Sequence, residues 1–93
     1  MFDHEKLKVY QKALEFVEWH SRLEIKEVKP KPKVLSHLDE ASISIVLNIS
    51  EGNGKFRSND RCNFFDISRG SALECAAALD ILLKKKLIVE SEN

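Results

Sequence analysis

Gly52-Asn53-Gly54-Lys55 is the first stretch to suggest chemistry, because a glycine loop ending in lysine can wrap a phosphate. Its spacing denies that role. A phosphate loop needs a glycine five residues before Gly54, where Ile49 stands, and a hydroxyl residue after Lys55, where Phe56 stands. A dinucleotide fingerprint fails too, since Arg57 fills the place of its third glycine and no strand–helix crossover surrounds it. The loop reads as a helix stop, with glycine free to take the left-handed conformation. Asn48-Ile49-Ser50 matches a glycosylation sequon, but inside a helix of a cytosolic chain it is a chance match. His4, His20 and His37 are scattered, and neither Cys-x-x-Cys nor His-x-x-x-His spacing occurs, so no metal is expected. Ser71 lacks the surroundings of a nucleophile elbow, and spacing sets no carboxylate beside a partner acid or base. No catalytic residue and no cofactor is assigned; the chain is expected not to be an enzyme.

The remaining polar residues point to structure or to binding. Glu51 and Glu74 are the best candidates for buried acids, and buried charge persists mainly when paired. Asn48, Glu51, Arg69 and Glu74 are therefore expected to form a polar set, the acids meeting Arg57, Arg69 or Asn48 across a helix–helix turn. Basic residues fall in three clusters: Lys26, Lys29, Lys31 and Lys33; Lys55, Arg57 and Arg61; and Lys84 to Lys86. Fifteen basic residues balance fifteen acidic ones, so any grip on nucleic acid must be local. The candidate phosphate contacts are Arg57, Arg61, Lys84, Lys85 and Lys86. The plainer explanation is that lysines in linkers and at helix ends are routine solvation.

The elements that must position these residues are helices. The chain has 93 residues, 43% of them hydrophobic and 32% charged, with three Gly and two Pro, which suits a single domain of few, long elements. The expected helices span about 4–25, 34–51 and 59–86 of a single domain, 1–93. Asp3 can cap the first, whose apolar residues form two stripes, Leu7, Tyr10, Leu14, Val17 and Val9, Ala13, Phe16, Leu23. Such a helix should be covered on two sides. Lys26–Lys33 contains Pro30 and Pro32 and reads as a solvated linker, short enough to return the next helix antiparallel. Ser42 to Ser50 alternates like a strand, yet nothing else in the chain alternates to pair with it. Helical projection gathers Leu35, Leu38, Ala41, Ile45, Val46 and Ile49 on one face, with Ile43 and Leu47 as a second patch.

Ser58 is a good N-cap for the third helix, where Phe65, Ala72, Leu79 with Ser68, Cys75, Leu82 form a heptad-like seam. Gly70, Ser71, Ala72 and Ala76 to Ala78 keep this helix thin for close neighbours. Cys62 and Cys75 fall on roughly opposite faces, unsuited to one disulfide, and read as small core residues in a reducing cytoplasm. Leu87-Ile88-Val89 gives at most a stub of a fourth helix. Met1 to Glu5 is no signal peptide, and no stretch is long and apolar enough to span a membrane. In an antiparallel arrangement the linker lysines and Lys84 to Lys86 lie at one pole, and the Lys55–Arg61 turn at the other.

Several pieces, in order, resemble the four-helix-bundle family known as 23S rRNA intervening-sequence proteins. They are Leu7-x-Val9-Tyr10-x-Lys12-Ala13, then Ile43-Ser44-Ile45 leading to Asn48-Ile49-Ser50-Glu51-Gly52, then Arg57-Ser58 and Phe64-Phe65-x-Ile67-x-Arg69-Gly70-Ser71-x-x-Glu74. The likeness runs from Phe2 to about Ile88. It implies an all-α, antiparallel up-and-down bundle, here with three long helices and a truncated fourth, assembling into a ring-like homopentamer. It also implies no enzymatic activity, a genetic setting inside large-subunit rRNA genes, and kinship with accessory proteins of retroelements. Where the family carries Gln-Leu-Arg-Arg-Ala, this chain has His37-Leu38-Asp39-Glu40-Ala41, acidic in place of basic.

Two functions follow as expectations. One is a homo-oligomeric module bound to structured RNA or DNA through repeated basic patches. The other is a protein–protein adaptor whose open bundle face, including Ile43, Leu47 and the small residues of the third helix, receives a partner helix.

Overall fold

The structure, a computed structural model, describes residues 4–88. Among these it contains three α-helices and no strand: α1 (His4–Ser21), α2 (Lys33–Asn53) and α3 (Ser58–Lys84). The alternating segment 42–50 is helical, as expected, because its serines and isoleucines serve different neighbours around one helix. The Asp3 cap and residues 89–93 of the fourth-helix stub lie outside the described residues; Leu87 and Ile88, which begin that stub, are not helical.

α2 and α3 form the central antiparallel pair, and small side chains let them approach closely. Ser68 Oγ donates to Ile45 O at 3.1 Å, and Ser71 Oγ donates to Ser44 Oγ at 2.8 Å. Cys75 Sγ, 3.9 Å from Leu38 O, continues the same seam. Each of these α3 residues is buried, and a hydroxyl satisfied in the interface avoids the cost of an orphaned polar group. The expected polar set does not hold this register. Asn48 Nδ2 instead donates to Ser44 O at 2.8 Å, Glu51 pairs with Lys55 at 3.6 Å, and Arg69 and Glu74 are exposed and form no ion pair. Glu51 and Glu74 lie in water, so neither needs a buried partner.

Leu38, Ala41, Cys75, Ala78, Leu82, Leu87 and Ile88 make the core, with Phe16, Ile25, Leu35, Ile45 and Leu79 packed around it. Of the expected heptad seam, Ser68, Cys75 and Leu82 face this core, whereas Phe65 and Ala72 are exposed. α1 lies antiparallel along α2, and its backbone makes no close approach to α3. His20 Nε2 meets Ser42 Oγ at 2.8 Å near one end of this contact, and Asn53 Nδ2 donates to Lys6 O at 3.4 Å near the other. Among the described residues α1 is therefore covered on one side only. Ala13 is buried, while Leu7, Val9, Leu14 and Trp19 remain largely exposed.

The chain leaves helices differently from the sequence expectation. α1 ends at Ser21 rather than near Ile25, because Leu23 and Ile25 turn inward along a non-helical segment that Lys26 N–H ties to Leu87 O at 2.9 Å. Gly54, the C-cap of α2, has φ −85° and not the left-handed conformation expected. The glycine under closest approach is Gly52, where a Cβ would lie 2.5 Å from a ring carbon of Phe65, so that ring would have to shift. Arg57, not Ser58, takes the N-cap position of α3. α3 stops at Lys84 rather than Lys86 in a Schellman motif. Lys86 adopts φ 59°, its N–H donates to Leu83 O, and Leu87 N–H donates to Leu82 O at 2.9 Å. Leu82 and Leu87, both buried, supply the apolar contact that accompanies this cap.

Candidate nucleic-acid interface

The Schellman stop and the Lys26–Leu87 hydrogen bond bring two basic segments together. Residues 29–33, lysine at alternate positions with proline between, lie against the end of α3. Lys29, Lys31, Lys33 and Lys85 line one cleft of about 620 Å³, floored by Val28, Pro32 and Leu87. Lys84 and Lys86 flank it and are exposed. No acidic residue lines this cleft. Glu18–Arg22 and Glu51–Lys55 form ion pairs elsewhere, and among the described residues no carboxylate pairs with the lysines of this cleft. The ammonium groups stand in water and can exchange counterions for phosphate oxygens.

The opposite pole carries Arg57 and Arg61, and the two differ. Arg61 Nη1 donates to Phe56 O at 2.8 Å and Lys55 O at 3.3 Å, and Nη2 donates to Ser58 Oγ at 3.3 Å. Its guanidinium therefore organises the α2–α3 turn. Lys55 is engaged by Glu51 and sits 5.3 Å from the Phe64 ring centroid. Arg57 is exposed and uncommitted, beside Phe56, which is 98% exposed. Of the residues singled out in the sequence, Lys84 to Lys86 share a pole with the linker lysines, while Arg57 and Arg61 lie at the far end. Lys29, Lys31 and Lys33 were not among the candidate contacts. Their alternation with proline is the signal that marks them, since proline keeps the segment out of a helix.

An apolar groove of about 360 Å³ runs between α1 and α3 over α2, bounded by Val9, Ala13, Phe16, Ile45, Ile49, Ala72 and Leu79. Ile43 and Leu47 are exposed elsewhere on α2 and do not line it. Cys75 is buried, and that burial, followed by the charge of Glu74, pushes its thiol above the ordinary thiol range. Cys62 is exposed, contrary to its expected place in the core. Among the described residues no three His, Cys, Asp or Glu side chains cluster to hold a metal. No helix there is long and apolar enough to cross a membrane.

An antiparallel helical array built on a close-packed α2–α3 pair, with a lysine-rich pole, defines a small all-α bundle protein. Within that class the chain belongs to the 23S rRNA-intervening sequence protein family, which it matches over residues 5–93. Searches of curated proteins and of solved structures return no match.

Proposed function

We propose that this chain is a non-enzymatic, homo-oligomeric module that holds the phosphate backbone of structured RNA or DNA at its linker pole. The observation that carries this reading is the single cleft lined by Lys29, Lys31, Lys33 and Lys85. With Lys84 and Lys86 this concentrates positive charge on a chain of zero net charge. Repetition of the pole around an oligomer would raise its avidity without any new contact. The reading takes the chain as a cytoplasmic four-helix-bundle homologue, related to retroelement accessory proteins and assembling as a ring-like homopentamer. Arg57 is a secondary contact at the far pole, and Arg61 supports the turn beside it.

Fluorescence anisotropy of a labelled structured RNA, titrated with the protein at low salt, tests the proposal. Saturable binding that weakens at least about tenfold in the Lys29→Gln/Lys31→Gln/Lys33→Gln variant is expected, since those lysines neutralise phosphates. Absence of binding at low salt, where screening is weakest, would overturn it.

A second reading, a protein–protein adaptor, is favoured by the apolar groove between α1 and α3. A partner helix seated there would bind with little salt dependence and a negative heat-capacity change.

A further inference from the structure

The phosphate cleft is contiguous with a second cavity of different character. This one, about 640 Å³, opens between the non-helical segment 23–32 and the first turns of α2. Leu23, Ile25, Leu35 and Leu38 give it an apolar wall. His20 and Asp39 lie at its α1–α2 side, and Lys29 and Lys31 are shared with the phosphate cleft. The volume lies in the range of small-molecule sites.

The distribution of charge orients a ligand. Asp39 and Glu27 line this cavity together with Lys26, Lys29 and Lys31, so it offers carboxylate acceptors beside cations, whereas no acid lines the neighbouring cleft. A ligand matching both would carry a flat, weakly polar group with N–H donors at one end and phosphate at the other. A nucleotide with its base unpaired has that form. Bases extruded from a stack are held between apolar side chains and read on their Watson–Crick edges, where a carboxylate accepts from exocyclic or ring N–H groups. His20 is fixed by Ser42, whose hydroxyl donates to Asp39 O at 2.8 Å, so the α1–α2 wall is pre-organised.

We infer that the linker pole binds an unpaired nucleotide, its base in the cavity beside Leu35 and Asp39 and its flanking phosphates on Lys29, Lys31, Lys33 and Lys85. This rests on the proposed nucleic-acid function and narrows it to single-stranded segments, loops or bulges rather than regular duplex. Asp39 then serves as a base acceptor at the edge of a basic surface.

The test uses the full chain and three labelled RNA probes of equal length at one low salt concentration. They are a single strand of mixed sequence, the same strand with abasic riboses, and a blunt duplex. Stacking on aromatic rings changes affinity by roughly five- to hundredfold per base; against an aliphatic wall the low end applies, so the intact strand should bind about fivefold or more tightly than the abasic one, and also more tightly than the duplex. Asp39→Asn, at an exposed position, should shift the order of affinities among homopolymer strands; an unchanged order would remove Asp39 from the base site. Equal affinity for intact and abasic strands, or tighter binding of duplex, would overturn the base cavity and leave the phosphate cleft standing. Binding of none of the three would remove both.

Discussion

Replacing Gly70 with alanine should stabilise the subunit, and the size of the gain follows from its position. Gly70 lies in the interior of α3 on an exposed face, and an added Cβ would meet nothing within 4 Å. With no contact to lose, the change is one of helix propensity, in which glycine trails alanine by about 0.8–1.0 kcal/mol. For a domain of this size that raises the melting temperature by roughly 4–8 °C. The neighbouring position should respond oppositely. Ser71 is buried with its hydroxyl 2.8 Å from Ser44 Oγ, so Ser71→Leu would force a larger side chain into the α2–α3 seam and cost about 1–3 kcal/mol. Thermal melts by far-UV circular dichroism, repeated across a protein concentration series, separate subunit stability from assembly. The sequence pattern suggests that Gly70→Leu disrupts tight packing. The structure instead expects Gly70→Leu to leave the subunit folded, with any loss appearing only in the concentration-dependent part. A Gly70→Ala variant destabilised by 1 kcal/mol or so at every concentration, or a neutral Ser71→Leu, would mean that α3 presents a different face to α2.

Other consequences can be measured on the same footing. Lys86 holds a left-handed φ of 59° at the end of α3; removing its Cβ in Lys86→Gly should gain about 0.5–1 kcal/mol in urea unfolding, net of the chain entropy that glycine adds. Leu82 has 0% exposure at the centre of the core, so Leu82→Ala should cost about 2–5 kcal/mol in the same assay. Cys75 keeps its proton more firmly when folded than when unfolded. Its contribution to stability is therefore full below the unfolded thiol value of about 8.5 and is lost as pH rises through the folded value. Urea midpoints should fall more steeply above that pH for the natural chain than for Cys75→Ala, and a native-state thiol reagent should label Cys62 but not Cys75.

Much of the fold can be read from the residues. The three helices follow from 3.6-residue periodicity, and even the alternating stretch 42–50 resolves as helix because no second alternating run exists to pair with it. Ser68, Cys75 and Leu82 recur at heptad spacing, and they are among the residues α3 buries, with Ser71 and Ala78. Helix ends were less legible, because tertiary contacts set them. α1 stops at Ser21 so that Leu23 and Ile25 can turn inward beside Leu87, and no local signal marks that place. The glycine loop was legible as a stop but not in its mechanism. Gly54 stays right-handed, while Gly52 gives room to the ring of Phe65, a contact thirteen residues away along the chain. Glu51 was expected to meet Arg57, Arg69 or Asn48, but it lies on an exposed face of α2 and pairs with Lys55 at i+4 instead. The union of the linker lysines with Lys84 to Lys86 was legible from antiparallel topology; the cavity beside them was not, because it depends on the non-helical path of residues 23–32.

The most direct test of the lysine pole is the salt dependence of RNA binding, measured for the natural chain and for Lys29→Gln, Lys31→Gln and Lys85→Gln singly. On a single-stranded probe the slope of log K against log salt should become shallower by about 0.7 for each lysine that contacts a phosphate. Lys55→Gln, at the far pole and engaged by Glu51, should leave the slope unchanged. Identical slopes for the natural chain and all three pole variants would contradict the assignment of phosphate binding to this pole.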